Sequence, residues 1–137
     1  MKRDRKFIEQ CFVLAQSVER FPNAKLASMI VLGNRIISYG WNQSKTHTFV
    51  RKYSRFGEDH CYLHAEVHAI KNALRIIDPE DLEKATLYVA RAKRPDNKSK
   101  RWIYGLAKPC EGCQKAIDDF SIRRVVYTLD GKGFSYL

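Results

Sequence analysis

The chain has 137 residues, a formal net charge of +10 from 25 Lys and Arg against 15 Asp and Glu, and a 45% hydrophobic content. That length suits one domain, residues 1–137, around a single core, and is too short for two ordinary ones. No apolar run approaches the roughly 20 residues that span a bilayer, so no membrane role is expected, and the excess of cations points to an anionic partner: a nucleotide phosphate, a nucleic acid or an acidic protein.

The basic start, Met1-Lys2-Arg3-Asp4-Arg5-Lys6, leads into no apolar signal stretch, and the expected location is the cytoplasm. From Asp4 to Arg20, apolar residues at Phe7, Ile8, Cys11, Phe12, Leu14, Ala15 and Val18 recur with helical spacing, which predicts an amphipathic first helix ended by Pro22-Asn23. Cys11 falls among those apolar positions and reads as a buried thiol. Two short apolar runs, Leu26 to Leu32 and Arg35 to Gly40, flank Gly33-Asn34 and predict a hairpin.

A long polar stretch follows from Asn42 to Leu63, longer than most connections in compact domains and therefore read as functional or as partly ordered by a partner. A second helix is predicted from about His64 to Ile76, stopped by Asp78-Pro79, and Thr86 to Ala90 is a third strand. The segment from Arg91 to Arg101 is strongly basic. Pro109 marks the start of a third helix, Cys110 to Phe120. Arg123 to Thr128 is a fourth strand, and Asp130-Gly131-Lys132-Gly133 turns into a short aromatic tail. This order predicts helices packed on a sheet, an α/β layered domain with its later strands parallel.

The chemistry lies in His64-Ala65-Glu66 and Pro109-Cys110-Glu111-Gly112-Cys113. In a cytosolic setting a C-x-x-C pair binds metal or is redox-active more often than it forms a disulfide. Cys110 and Cys113, three apart at a helix start, point the same way, and the positive end of that helix favours thiolate. His64 opens the other helix. Three such ligands suit Zn2+ and leave one tetrahedral position open, the arrangement of a catalytic zinc. Glu66, two positions beyond His64, falls beside that open position, where it can take a proton from water and deliver it to a ring nitrogen and then to a leaving amine. Attack at an amidine-like carbon with loss of ammonia is hydrolytic deamination of a nucleobase, and H-x-E followed by P-C-x-x-C is the signature of zinc deaminases.

On these residues the chain resembles the cytidine deaminase superfamily over nearly its whole length. The resemblance implies a three-layer α/β/α fold with a mixed sheet of about five strands, zinc held by His64, Cys110 and Cys113, and Glu66 as proton shuttle. Tyr39-Gly40-Trp41-Asn42 is similar to the family segment whose Asn holds the substrate sugar, which assigns Asn42 to substrate binding, and Ala65 is carried over to the same role. The His-Ala-Glu start and the long insert before it look most like deoxycytidylate (dCMP) deaminases. The implied reaction is conversion of a small-molecule nucleotide, dCMP, to dUMP, in an enzyme that assembles as a homo-oligomer.

The chain departs from that pattern at His68, where the family has Asn, and in the long gap before Pro109. His68 reads as a satisfied helix histidine. In the gap, Trp102 and Tyr104 interleave with cations, as Phe49, Arg51, Lys52, Tyr53, Arg55 and Phe56 do in the earlier insert. Such interleaving describes a surface that stacks bases and tracks phosphates. The alternative is therefore a polynucleotide deaminase acting on cytosine or adenine in single-stranded DNA or RNA. A catalytically silent binding module is the third reading, against which stands Glu66, since a structural metal site needs no proton shuttle. By the same resemblance His47, His60 and Cys61 raise a second, structural zinc, although their spacing fits no compact finger.

Overall fold

A computed structural model describes residues 2–18, 25–42, 64–96 and 100–137. The polar insert after Asn42, with His47, Phe49, Arg51, Lys52, Tyr53, Arg55, Phe56, His60 and Cys61, lies outside the described residues, as does Pro22-Asn23.

Helix α1 (Lys2–Gln16) is followed by strands β1 (Lys25–Leu32) and β2 (Arg35–Trp41), helix α2 (Ala65–Ala73), a single helical turn α3 (Pro79–Leu82), and strands β3 (Thr86–Lys93) and β4 (Ile103–Gly105). Helix α4 (Glu111–Asp119), β5 (Arg124–Thr128) and β6 (Phe134–Tyr136) complete the order. The hairpin forms as its sequence predicts, with Gly33 at φ +66° in the left-handed region that the tight turn requires. The sheet runs β2-β1-β3-β5-β6, with β3 and β5 parallel and the other neighbours antiparallel. β4 pairs with Arg91 to Lys93 of β3, whereas β5 pairs with Thr86 to Val89, so β4 continues the same side of β3 beyond the end of β5. The mixed sheet thus has six strands rather than about five. Two of them are three-residue strands, one within the basic gap and one in the aromatic tail.

Side-chain alternation along β3 divides the core in two. Leu87 and Val89 join Val67, Ile70 and Ala73 of α2 and Ala116 and Ile117 of α4. Tyr88, Ala90 and Ala92 join Phe7, Ile8, Cys11 and Ala15 of α1 on the opposite face. Helices on both faces give the three-layer α/β/α arrangement. Cys11 is fully buried, and burial pushes its thiol up.

One charged residue belongs to that second core. Asp4, in the first turn of α1, is 1% exposed, and its carboxylate accepts four hydrogen bonds. Arg124 of β5 donates two, at 2.7 and 2.5 Å, Tyr88 of β3 one at 2.7 Å and Tyr136 of β6 one at 2.8 Å. The contact ties α1 to three strands. The Arg124 hydrogen bonds hold the Asp4 carboxyl well below its ordinary value of 3.8. A carboxyl depressed in the folded state contributes stability above that ordinary value, and the contribution disappears as pH falls through the folded pKa. Asp4→Asn is expected to cost about 3 kcal/mol at pH 7, and the difference from wild type should narrow as pH drops below the ordinary value. Thermal melts of both proteins from pH 7 to pH 2 check this. A pH-independent gap would mean that the ionised carboxylate is not what matters.

Candidate metal centre

α2 lies unusually close to the sheet because the residues between them are small. A Cβ placed on Gly40 of β2 would stand 2.2 Å from the Ala65 carbonyl oxygen and 2.4 Å from the Ala69 nitrogen. Two hydroxyls fix the helix at that height: Ser28 donates to the Ala65 carbonyl at 2.5 Å, and Ser38 to the Ala69 carbonyl at 2.8 Å. His68 completes the attachment. Its Nδ1 accepts the Trp41 N–H at 3.1 Å and its ring meets the Trp41 indole edge-on, so it is the satisfied helix histidine that its position suggested.

Held there, α2 presents His64 as its N-cap residue, and α4 presents Cys110 as its own. Neither side chain caps its helix, although N-cap positions ordinarily do so through Ser, Thr, Asp or Asn. Both turn instead towards a common point. His64 Nδ1 lies 3.3 Å from Cys113 Sγ and 3.5 Å from Cys110 Sγ, and the three ligand atoms all lie within 4.8 Å of one another. A tetrahedral zinc with its usual bonds to nitrogen and sulfur holds those atoms about 3.5 Å apart. The donor set therefore fits zinc in both chemistry and spacing. It is also the one such cluster of His, Cys, Asp or Glu among the described residues.

The protons are arranged for metal binding. The Cys113 thiol hydrogen-bonds the Cys110 sulfur and holds it down at about 4, as thiolate, with His64 adding to the effect. The same bond, together with burial, pushes the Cys113 thiol well up, so a metal ion displaces its proton on entry. The bond to Cys110 raises His64. Glu66, at 5% exposure, stands beside this cluster and shares a hydrogen bond with Cys113. Burial raises its carboxyl.

The remaining carry-over residues lie at the start of α2 and the end of β2. Ala65 is the first residue of α2 and fully buried, and its N–H has no acceptor within the helix. Asn42, at the end of β2, is 7% exposed, and its side-chain oxygen accepts the Leu26 N–H at 3.0 Å. That bond fixes the orientation of the amide.

The sequence matches the family model described as "Cytidine and deoxycytidylate deaminase zinc-binding region" over residues 1–129. The chain belongs to this family. Solved structures share the fold. The dCMP deaminase of cyanophage S-TIM5 is similar at a TM-score of 0.63 and 16% identity, over 94% of this chain and 84% of that one. A structure from a study of A-to-I editing by tRNA:A34 deaminases matches at 0.57 and 24%, over 92% and 76%. RibD of Acinetobacter baumannii matches at 0.54 and 21%, over 93% of this chain but 28% of its own length. Comparison with curated proteins gives no match. As a cytidine and deoxycytidylate deaminase-family protein, the chain carries that family's zinc-binding region, and His64, Cys110 and Cys113 form a potential metal site within it. Among the described residues no helix is long and apolar enough to cross a membrane.

The aromatic residues of the basic gap have structural partners. Tyr104 packs edge-on against Phe12 of α1, with ring centroids 4.6 Å apart. Lys25 and Arg94 lie over the Trp102 ring at 4.9 and 4.5 Å. Sequence alone could not reveal this, because aromatic–basic interleaving looks the same whether the rings stack on each other or on a base.

Proposed function

We propose that this protein is a zinc-dependent hydrolytic deaminase that converts dCMP to dUMP with release of ammonia. The observation that carries the reading is the His64–Cys110–Cys113 cluster with a buried carboxylate, Glu66, beside it. Zinc, if held by those three residues, would supply a Lewis acid that activates water at neutral pH. Glu66 takes the proton of the attacking water as oxygen adds to C4 of the cytosine, and gives it to N3. It then carries a second proton to the exocyclic amine, whose bond to C4 breaks, leaving a carbonyl and ammonia. The Ala65 N–H accommodates the pyrimidine carbonyl, and Asn42 positions the sugar. Burial keeps Glu66 out of bulk water and serves a group that must hold a proton between the two transfers.

For the substrate, support comes from the family description and from the similarity to the S-TIM5 enzyme, which has been solved with dCMP and dUMP. A cytoplasmic setting, where thiols stay reduced, suits the ligand set. The second reading, a polynucleotide substrate, is favoured by the +10 charge and by the similarity to a tRNA-deaminase structure. Its sequence argument weakens where Trp102 and Tyr104 already have partners. Ammonia release from dCMP, cytidine and single-stranded oligonucleotides separates the two. Turnover is expected with dCMP, with a shallow dependence on salt. Oligonucleotide turnover without dCMP turnover, falling steeply with ionic strength through counterion release, would overturn the first reading.

A further inference from the structure

Arg91 stands apart from the other cations of the basic gap. It lies on β3, in register with Leu26 of β1 on one side and with Gly105 of β4 on the other. Leu26 in turn exchanges hydrogen bonds with Asn42: it accepts the Asn42 N–H at 3.2 Å and donates its own N–H to the side-chain oxygen. Asn42, Leu26, Arg91 and Gly105 therefore form one row across the sheet. The neighbouring row, Gly40, Ser28 and Val89, lies beneath the first turn of α2. Alternation along β3 puts Arg91 on the face of Leu87 and Val89, the face that carries α2, α4 and the metal ligands. The arginine is thus one row beyond the N-terminus of α2, on the floor of the metal-site corner, two strands from Asn42.

Its chemistry there is incomplete. The Arg91 stem lies across Gly105, so that a Cβ on this glycine would stand 2.7 Å from Cδ. Its Nε is buried, and it is the one buried side-chain nitrogen or oxygen without a hydrogen-bond partner among the described residues. None of the ion pairs among the described residues includes Arg91, whereas Lys93, Arg123 and Arg124 each have a carboxylate. Buried polar atoms in native proteins are overwhelmingly paired, so an unpaired one in a side chain on this face calls for an explanation. A guanidinium fits a phosphate oxyanion through two parallel N–H bonds.

We propose that Arg91 binds the phosphate of the substrate nucleotide and makes the site select phosphorylated over free nucleosides. The inference rests on the reading of the site as a nucleotide deaminase. An unpartnered surface arginine whose stem covers a glycine would look similar from sequence, but it would keep its Nε in water.

Calorimetric titration of dUMP and deoxyuridine into the zinc-loaded protein tests the proposal without relying on turnover. Wild type is expected to bind dUMP more tightly than deoxyuridine. Arg91→Gln should weaken dUMP by about 30-fold and leave deoxyuridine unchanged, with Arg91→Lys between the two, as loss of a desolvated charge pair predicts. Unaltered melting of the zinc-loaded variants shows that the fold is intact. Equal losses for both ligands, or no loss for dUMP, would overturn the role of Arg91. If wild type does not deaminate dCMP, yet Arg91→Gln still weakens a single-stranded oligodeoxycytidylate, the substrate reading fails while the phosphate role stands. No effect of Arg91→Gln on either phosphate-bearing ligand overturns the role whatever the substrate.

Discussion

Glu66→Gln is expected to lower kcat on the preferred substrate by about 10⁴-fold while the chain still binds one zinc per molecule. General acid–base catalysis by one positioned group is worth roughly 10²–10⁴, and the upper end applies because Glu66 serves both proton transfers. Gln keeps the size of the side chain and can donate a hydrogen bond to Cys113, so the metal corner should keep its shape. The decisive comparison is zinc content by atomic absorption against turnover by ammonia release. A variant that keeps its zinc and retains more than about a tenth of the wild-type rate would remove Glu66 from the mechanism. A variant that loses zinc would instead make the carboxylate a support for the ligands.

Gly40→Ala should be the most damaging small substitution outside the site. The added methyl meets backbone atoms of α2, which cannot rotate away as a side-chain tip would. Overpacking of a close contact costs about 1–3 kcal/mol, and contacts of 2.2 and 2.4 Å belong at the upper end. Melting is expected to fall by roughly 10 °C or more. Because the helix must lift from β2, His64 and Glu66 move with it, and zinc affinity should drop by about 10–100-fold, the scale seen when groups supporting a metal ligand are disturbed. Chelator competition beside a thermal melt reads both. Wild-type melting in Gly40→Ala would show that α2 has more room than the structure describes.

The clustering of His64, Cys110 and Cys113 was the most legible part of the sequence, for a physical reason. His64, Cys110 and Cys113 are specified by residue type and by fixed spacing at two helix starts, and such local rules survive folding. The first helix, the hairpin and β3 were legible through apolar periodicity, with boundaries displaced by a few residues. β4 and β6 were not, because three residues carry no periodicity and exist only by pairing with strands far away in the chain. Asp4 was hidden for the opposite reason. An acidic residue in a first helical turn is ordinarily a solvated one, and only the arrival of Arg124, Tyr88 and Tyr136 makes it a core residue. Arg91 was read as one cation of a basic run; its different fate is set by strand parity, which depends on β3 reaching Lys93 rather than ending at Ala90.

β4 also separates two things that the sequence places side by side. Cys110 and Cys113 follow the long basic gap, and on the sequence alone any change in that gap shifts them against His64. Gly105 is instead clamped to Arg91 by strand pairing, its carbonyl accepts the Thr128 hydroxyl at 2.6 Å, and the Ala107 N–H donates to the Thr128 carbonyl at 3.0 Å. These bonds anchor the approach to Cys110 independently of how much chain precedes it. Lengthening the connection from 94 to 102 is then a matter of loop-closure entropy, about 0.6 kcal/mol for each doubling. A stretch that looks like an intrusion into the motif is in effect an insertion point, where new recognition surface can be added without retuning the metal.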